Sequence, residues 1–216
     1  MGNAGIKTGI FLQARLNSRR LHQKALLPLK GGNVVRHAMR ALREVKADIH
    51  ALLTDDMSAP VLGVYAEAEG FEIFTGPSDD VLKRFCMAVR FFKQIEALLP
   101  IHAEKRVELS HFVGAPLGTG VEVVEAGALL KVEERSSDFY EREHITTYMY
   151  RHPEEFRIME IPCPRNCALP RARVTLDTAS DYDLISRIFQ DLYRDSPIET
   201  EEIVLWLKHC SNESSG

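Results

Sequence analysis

Side chains that suit phosphate oxygens follow the first apolar segment of the chain. Residues 9–12 are apolar without alternation, which predicts a fully buried central strand. The ten positions that begin at Arg15 contain five such side chains: Arg15, Ser18, Arg19, Arg20 and Lys24. Arginine offers a fork of donors and lysine a compact charge, and the loop after the first strand of an α/β sheet is a common ligand position. The spacing predicts a binding loop for a phosphorylated ligand, with a solvated basic loop as the alternative.

Strands and helices are expected to alternate after this loop. Short apolar runs predict strands at 49–53 and 71–74, and apolar residues at the helical period predict helices over 34–45, 59–69 and 81–92. This alternation is typical of a parallel sheet with helices on both faces. We therefore predict an α/β fold of three αβα layers around a mostly parallel, Rossmann-like sheet, with ligands at the strand ends.

The ends of these helices have recognisable capping residues. Asn33 can cap the first helix, and Gly70 can end the second. Ser78 or Asp79 can cap the third helix. Capping therefore explains Asp79 and Asp80 as readily as ligand binding does.

The second half of the chain predicts further elements of both kinds. Asp138 can cap a helix, and Asp177 follows the last clear strand, where it can cap the next helix. The expected strands are 106–112, 121–124, 156–161 and 173–176, and the expected helices are 126–132, 138–150, 180–193 and a final one that ends near 209. We expect a single domain over 1–210, with an extended arm near 106–125 and a disordered tail over 211–216.

The composition excludes several classes of protein. A chain of 216 residues with net charge −4 and a pI near 6.1 is not expected to bind nucleic acid in general. No apolar run approaches the roughly 20 residues of a membrane helix, and nothing at the N-terminus resembles a signal peptide. The four cysteines lack disulfide-framework spacing, and Cys163 and Cys167 have no second pair for zinc. A cytoplasmic protein without membrane or nucleic-acid partners is predicted.

The loop after the first strand also resembles a known motif. The segment ARLNSRRLHQKALLPL is similar to the A-R-x-x-S-x-R-L-P-x-K-x-L signature of sugar cytidylyltransferases of the spore-coat polysaccharide biosynthesis type, relatives of the enzymes that activate sialic acid and 3-deoxy-manno-octulosonate with CTP. His22 stands where proline is usual. The matching residues are Ala14, Arg15, Ser18, Arg20, Leu21, Lys24 and Leu26.

Later segments resemble the same family in the same order, so that the resemblance covers most of the chain. They are GPSDDVLKRF at 76–85, APLGTGVEV at 115–123, EREHITTYMYRHPEEFRI at 141–158 and VTLDTASDYDLI at 174–185. The resemblance implies a nucleotide-diphospho-sugar transferase-like fold and a homodimer in which the extended arm contacts the partner. As a phosphate cradle by itself, the glycine-rich turn at 116–120 matches no phosphate-loop pattern.

The resemblance also implies roles for individual residues. The nucleotide would be bound by Gln13, Ala14, Arg15, Ser18, Arg20, Lys24, Asp80 and Arg84, with Arg15 and Lys24 as the catalytic cations. The sugar would be bound by Gly118, Thr119, Glu122, Glu143 and His144, and Mg²⁺ by Asp177. For His144 a structural role is the alternative, and for Asp177 a helix cap.

One family motif is missing. Relatives carry a T-G-D-x-P-like turn whose aspartate binds the catalytic magnesium ion, and no T-G-D occurs in the corresponding part of this sequence. The carboxylates of that region, Glu96, Glu104 and Glu108, lack the flanking glycine and proline. A deletion, a ligand from elsewhere and an omitted segment remain open as explanations. With this carboxylate missing, we predict weaker metal affinity and slow or absent turnover.

Three functions follow from these patterns. The first is transfer of CMP from CTP to a sugar, an acidic one by resemblance, for surface polysaccharide biosynthesis. The second is a nucleotide-binding relative that has lost the metal site and its catalytic activity. The third is a glycosyltransferase, which would need a D-x-D motif after an internal strand; Asp181 and Asp183 are more simply explained as the start of a helix.

Overall fold

The structure is a computed structural model, and it describes residues 8–92 and 107–213. These residues form two compact units. Unit 1 contains residues 8–15, 38–92, 107–110 and 123–159, and unit 2 contains residues 16–37, 111–122 and 160–213. The prediction of a single domain over 1–210 stays a prediction.

The described elements alternate through the first half of the chain as expected. The strands are β1 (Gly9–Gln13), β2 (Pro28–Leu29), β3 (Gly32–Asn33), β4 (Ile49–Thr54), β5 (Glu72–Thr75), β6 (Leu109–Val113), β7 (Glu122–Val124) and β8 (Ile158–Pro162). The helices are α1 (Val34–Arg43), α2 (Ala59–Ala68), α3 (Val81–Phe91), α4 (Ala126–Arg135), α5 (Phe139–Glu143), α6 (Thr147–Arg151), α7 (Ala179–Leu192) and α8 (Thr200–Glu213). Short 3-10 turns occur at Lys24–Leu26 and Arg165–Cys167.

A parallel three-stranded sheet forms the centre of unit 1. Its order is β1-β4-β5, with Phe11 opposite Ala51 and Leu53 opposite Phe74. The predicted parallel α/β arrangement is therefore confirmed. The prediction that β1 is central and fully buried is wrong for the described part of the chain, because β1 is an end strand there and is half-buried throughout. An unbroken apolar run indicates cover on both faces, but it does not give a strand's place in the sheet.

Helix α3 packs both on the sheet and on helices α4 and α6. Ala88 and Phe92 pack on Ala51 and Leu53 of β4. The opposite side of α3 contributes to a second core of nine buried residues: Leu82, Cys86, Leu109, Ala128, Leu129, Val132, Tyr148, Met149 and Phe156. Burial of this apolar area stabilises the position of α3, and with it the loop that precedes the helix.

The helix ends agree with most of the expected caps. Asn33 accepts a hydrogen bond from the Arg36 amide at 3.0 Å, and Gly70 follows α2 with a φ of +74°. The cap of α3 is Asp80, which accepts from the Lys83 amide at 2.9 Å, instead of the predicted Ser78 or Asp79. The helix begins one residue later than a cap at Asp79 requires.

The single helix predicted over 138–150 is wrong. Asp138 does cap α5, but His144 leaves helical geometry with φ −116° and ψ 84°, and α6 begins again at Thr147. The intervening Ile145 and Thr146 are β-branched and lose side-chain freedom in a helix, which favours a break there.

The strands β6, β7 and β8 form a sheet in the order β7-β6-β8. In unit 1 the Glu108 amide donates to the Arg157 carbonyl at 2.9 Å, and in unit 2 the Cys163 amide donates to the Val113 carbonyl at 2.9 Å. Strand β7 is at the end of this order, in agreement with the extended edge predicted over 121–124.

Two other predictions for the second half need correction. Residues 173–176 form no regular strand and only an isolated bridge between Leu117 and Arg173. Helix α8 continues to Glu213, beyond the end predicted near 209 and into the predicted tail, while residues 214–216 lie outside the described residues. The apolar run 173–176 is too short to distinguish a strand from an extended loop.

Unit 2 contains a short hairpin, β2–β3, that rests on the end of α7. Gly31 in its turn has a φ of +84°, and a Cβ atom there would collide with the ring of Tyr193. The His37 ring lies 4.5 Å from the Phe189 ring and 4.8 Å from the Tyr193 ring, between centroids. The turn of the hairpin therefore packs closely on Tyr193, the residue that follows α7.

Among residues 8–92 and 107–213, no helix is both long enough and apolar enough to cross a membrane.

We predict that Gly31→Ala lowers the free energy of unfolding by about 3 kcal/mol, because it adds a left-handed strain of roughly 1–2 kcal/mol to a collision with Tyr193. Gly70→Ala is the matched control, since Gly70 also has positive φ but has nothing within 4 Å of an added Cβ atom. It should cost only the strain of about 1 kcal/mol. Urea denaturation of both variants measures the difference; equal losses would show that the Tyr193 ring yields.

Candidate active site

The carboxyl ends of β4 and β5 form an open groove in unit 1. Asp55 and Asp56 follow β4, and residues 76–78 follow β5; the Gly76 amide donates to the Thr54 carbonyl at 3.1 Å and joins the two strand ends. We call this the strand-end groove. Its lining residues are Asp55, Asp56, Met57, Thr75, Gly76, Pro77, Ser78 and Met87. In parallel α/β sheets this edge is where ligands bind.

Arg15 follows β1 and reaches the same edge. Its guanidinium donates to the Ser78 carbonyl at 3.0 Å and to a Glu143 carboxylate oxygen at 2.5 Å. The first contact holds the loop at 76–78, and the second is an ion pair with the last residue of α5. Arg15 therefore connects a strand-end loop to Glu143, one of the residues predicted to bind the sugar.

Arg84 lies beneath the loop at 76–78 and is fully buried. One guanidinium nitrogen donates to the Pro77 carbonyl, while Nε and Nη1 have no hydrogen-bond partner among the described residues. Burial lowers the pKa of Arg84 from its ordinary value, and the neighbouring Asp55 carboxylate opposes this shift. Gly76 permits the approach, because a Cβ atom there would lie 2.9 Å from Cγ of Arg84. Arg84 is placed to support the loop from below.

Asp80 has both of its carboxylate oxygens occupied. One accepts from the Lys83 amide as the cap of α3, and the other accepts from Nε of Arg142 at 2.7 Å. Arg142 also donates to the carbonyls of Glu133 and Ser136, at 3.3 and 2.8 Å. Asp80 therefore combines a capping role with an ion pair that connects α3 to the region of α4 and α5.

A second cluster of charges lies in unit 2, around Asp177. Oδ1 of Asp177 accepts from Arg20 at 2.9 Å and from Lys24 at 3.1 Å, and Lys24 also donates to the Leu176 carbonyl at 2.9 Å. Oδ2 accepts from Arg173 at 3.2 Å. Two cations of the predicted phosphate loop and the predicted metal ligand thus lie together in one unit.

The start of α7 holds the main chain at Asp177 in place. The amides of Asp177 and Thr178 donate to Oδ2 of Asp181, at 3.0 and 2.9 Å. Thr178 is the helix cap, since its hydroxyl accepts from the Asp181 amide at 3.2 Å. The alternative that Asp177 caps this helix is therefore wrong. Because Thr178 and Asp181 form the capping box, the Asp177 carboxylate is not needed as a cap and pairs with the cations.

The glycine-rich turn of unit 2 packs on the chain just before Asp177. The Leu117 amide donates to the Ala172 carbonyl at 2.9 Å, and the Val174 amide donates to the Leu117 carbonyl at 2.8 Å. Gly118 has a φ of +105°, and an added Cβ atom would meet the Thr175 amide nitrogen at 2.9 Å. Glycine is required here by both geometry and space. The hydroxyl of Thr119 is turned to the Pro116 carbonyl, at 2.9 Å.

The other predicted site residues have simpler environments. Gln13 ends β1, and the Ala14 amide continues the sheet by donating to the Leu53 carbonyl at 3.1 Å, so it is not free for a nucleobase. The Ser18 amide donates to the Leu16 carbonyl at 2.9 Å. Glu122 begins β7 and is exposed.

His144 follows α5 and is also exposed. Its ring contacts the Tyr140 ring in a tilted arrangement, with 4.4 Å between centroids. Of the predicted sugar-binding residues, Glu143 and His144 belong to unit 1, and Gly118 and Thr119 belong to unit 2.

The carboxylates near the missing T-G-D motif are Glu96, Glu104 and Glu108. Glu96 and Glu104 lie outside the described residues. Glu108 accepts from the Arg157 amide at 2.7 Å and is paired with the same residue's side chain. Within the described chain, a group of possible metal ligands occurs at His152, Glu154 and Glu155, but Glu155 already pairs with Lys131 and Arg135.

Sequence reasoning did not assign three residues that the structure places in these clusters. Arg142 pairs with Asp80, Arg173 pairs with Asp177, and Asp55 lines the strand-end groove. Asp55 follows a predicted strand, which was a usable signal, because the carboxyl ends of parallel strands meet at one edge. Arg142 lies in the helix predicted over 138–150 and Arg173 in the strand predicted over 173–176, and neither element gave a reason to expect an ion pair.

We predict that Asp181→Asn lowers the melting temperature at neutral pH, because amides of Asp177 and Thr178 stabilise the ionised carboxylate. These hydrogen bonds, first that from Asp177, hold the pKa of Asp181 below its usual range. The stabilisation is therefore fully present above the unfolded pKa of about 3.9 and is lost as the pH falls through the lower folded value. Thermal melts across pH 2 to 7, roughly the range in which carboxyl groups titrate, should show the difference shrinking with acid.

Asp183→Asn, an exposed change on the same helix, is the control for the charge alone. A difference between the Asp181→Asn protein and wild type that stays constant down to the lowest pH would contradict the role assigned to the carboxylate.

Comparison with known proteins agrees with the motifs. The cytidylyltransferase family matches residues 10–105, which include the cationic loop and the strand-end groove. The spore coat polysaccharide biosynthesis protein SpsF of Bacillus subtilis is 27% identical over 223 aligned positions, which cover 91% of this chain and 92% of that protein. The similarity to SpsF therefore extends well beyond the family match.

Two solved structures share the fold. A cytidylyltransferase from Leptospira borgpetersenii superimposes with a TM-score of 0.83 at 22% identity, covering 96% of each chain. CMP:2-keto-3-deoxy-manno-octonic acid synthetase, solved with CTP, gives a TM-score of 0.56 at 14% identity, covering 85% of this chain and 98% of the other. The predicted Rossmann-like nucleotidyltransferase fold is confirmed.

The match at residues 10–105, the similarity to SpsF and the shared fold agree with one another and with the resemblance to sugar cytidylyltransferases that the motifs carry.

Proposed function

We propose that this protein transfers CMP from CTP to an acidic sugar that is destined for a surface polysaccharide. The observation that carries the proposal is the loop after β1: it lies within the cytidylyltransferase match and presents Arg20 and Lys24 to one carboxylate in unit 2. The polysaccharide role is supported by the name of the Bacillus subtilis relative, and CTP by the complex of the octonic acid synthetase.

The reaction is an in-line displacement at the α-phosphorus of CTP. A hydroxyl oxygen of the sugar forms the new bond to phosphorus, the bond to the β-phosphate oxygen breaks, and pyrophosphate leaves while the hydroxyl proton is lost to solvent. Negative charge spreads over the phosphate oxygens in the transition state, so catalysis consists mainly of positioning and charge stabilisation.

Arg20 and Lys24 are proposed to bind the β- and γ-phosphates, and Ser18 to donate a further hydrogen bond. Their present partner, Asp177, shows that their side chains reach a common oxygen acceptor. Arg15 differs from Arg20 and Lys24 in its contacts, because it holds residues 76–78 and pairs with Glu143. We propose that Arg15 exchanges one of these contacts for an α-phosphate oxygen.

The strand-end groove is proposed to take the nucleoside. Asp55 and Asp56 offer carboxylate acceptors to a ribose hydroxyl or an amino group, and the loop at 76–78 supplies main-chain groups. Arg84 supports this loop from below, and Asp80 fixes the start of α3. We assign Arg84 and Asp80 to positioning instead of direct contact with the nucleotide.

The oxygen atoms around Asp177 also fit a divalent cation such as Mg²⁺. The Lys24 ammonium bridges the Leu176 carbonyl and the Asp177 carboxylate, so a positive group already stands among oxygen ligands of the kind magnesium prefers. Mg²⁺ held by Asp177 would stabilise negative charge on the phosphates. The sugar is proposed to contact the turn at Gly118 and Thr119, as well as Glu122, Glu143 and His144. Cytoplasmic location and a homodimer stay predictions.

We predict CTP-selective binding in isothermal titration calorimetry, with little or no binding of ATP and a tighter CTP complex when Mg²⁺ is added. Selectivity is expected because hydrogen-bonding sites reject bases that leave their polar groups unpaired. Binding of CTP and ATP with equal affinity would contradict a cytidine site, and failure of both to bind would remove the nucleotide-binding function.

Turnover distinguishes the two candidate functions that bind CTP. Pyrophosphate release in the presence of CTP, Mg²⁺ and a panel of acidic sugars is expected from a transferase. Selective CTP binding without pyrophosphate release from any sugar of the panel would instead support the catalytically impaired relative, the alternative that the missing T-G-D motif suggests. The comparisons do not favour that alternative.

We predict that Lys24→Gln weakens CTP binding about 10-fold or more, because a charge-assisted hydrogen bond to phosphate is worth roughly 1.5–3 kcal/mol. Arg19→Gln is the matched control, since Arg19 is exposed in the same loop and its loss changes the net charge equally. It should change the dissociation constant less than about 2-fold. Equal effects of both variants would indicate only a general attraction between a basic loop and an anion.

A further inference from the structure

The cations around Asp177 outnumber the carboxylates. Arg20, Lys24 and Arg173 carry three positive charges, and Asp177 and Asp181 carry two negative ones. Arg173 contacts both carboxylates, at 3.2 and 3.6 Å. The described cluster in unit 2 therefore has an excess positive charge and an affinity for a further anion.

The carboxylate is the fixed member of this cluster, and the cations are the movable ones. The Asp177 side chain is only 18% exposed, and its amide is tied to Asp181. The side chains of Arg20, Arg173 and Lys24 are 70%, 49% and 38% exposed. Exposed ion pairs contribute little to stability, so these three side chains can leave Asp177 at small cost.

Arg173 is placed like the two cations of the phosphate loop. It donates to Oδ2 of Asp177 while Arg20 and Lys24 donate to Oδ1, so the three cations surround one small anionic group. It also donates to the hydroxyl of Thr175, which directs its guanidinium toward Asp177. A phosphate group presents several oxygens to such a set of donors, whereas the carboxylate presents two.

We propose that Arg20, Lys24 and Arg173 form a polyphosphate subsite in which Asp177 is the resting counter-ion, and that Arg173 is a third phosphate-binding residue. This inference rests on the proposed function. The triphosphate takes the three cations from Asp177 when it binds. Asp177 thereby opposes the binding of a bare polyphosphate, because its fixed carboxylate stays close to the phosphate charge after the cations have left it.

The test is calorimetric titration with inorganic tripolyphosphate and with CTP, in EDTA. Asp177→Asn should bind tripolyphosphate about 5-fold or more tightly than wild type, because a like charge next to the phosphate is removed. Asp183→Asn, which removes an exposed charge from the same helix, should stay within about 2-fold. Equal or weaker binding by Asp177→Asn would overturn the counter-ion role. A thermal melt establishes that each variant is folded, and Asp177→Ser replaces Asp177→Asn if that variant is not.

The role of Arg173 is tested in the Asp177→Asn background, where it has no carboxylate at position 177 to neutralise. Adding Arg173→Gln should weaken tripolyphosphate binding about 5-fold. No change would show that Arg173 serves only as a partner of Asp177, which would overturn its assignment to phosphate.

Failure of this inference can be distinguished from failure of the proposed function. If wild type selects CTP over ATP but Asp177→Asn gains no affinity, the function stands and the counter-ion is refuted. If Asp177→Asn gains affinity for tripolyphosphate but no form of the protein selects CTP, the anion subsite stands and the cytidylyltransferase proposal is refuted.

Discussion

The pairing of each cation with a carboxylate is the interaction from which both charged clusters of the candidate site are built. Arg15 pairs with Glu143 and Arg142 pairs with Asp80 in unit 1, while Asp177 holds three cations in unit 2. A charge removed from water without a partner costs several kcal/mol, so pairing matters most for Arg15 and Arg142, whose side chains are only 31% and 20% exposed. In unit 1 the carboxylates Glu143 and Asp80 therefore stabilise the charged side chains with which they pair.

Arg84 is the exception to this pattern in unit 1. It is fully buried, has a single hydrogen bond to a main-chain carbonyl and keeps two nitrogens without a partner in the described chain. Its charge is balanced at longer range, by Asp55 above all. Burying a charge with so few hydrogen bonds lowers the stability of the fold. The close packing of Arg84 on Gly76 indicates that its role is to fix the loop at 76–78. That loop in turn is one wall of the strand-end groove.

Two aspartates combine helix capping with a second contact, which is why a single explanation from the sequence was hard to choose for residues of this kind. Asp80 caps α3 with one oxygen and binds Arg142 with the other. Asp181 closes the capping box of α7 and fixes the main chain of Asp177. In both cases a helix start positions a charge, so stability and binding depend on the same hydrogen bonds.

The sequence by itself determined the alternation of strand and helix, the parallel sheet, the cationic loop after β1 and the resemblance to cytidylyltransferases, because these depend on local periodicity and on residue types at fixed spacing. It did not determine that 138–150 breaks at His144 or that 173–176 forms no strand, since packing decides between short elements of similar propensity. Only the tertiary structure decided the partners of the charges: Arg15 and Glu143 are 128 positions apart, and Lys24 and Asp177 are 153 apart. Ion pairs of such long range follow from the folded path of the chain, which no local pattern encodes.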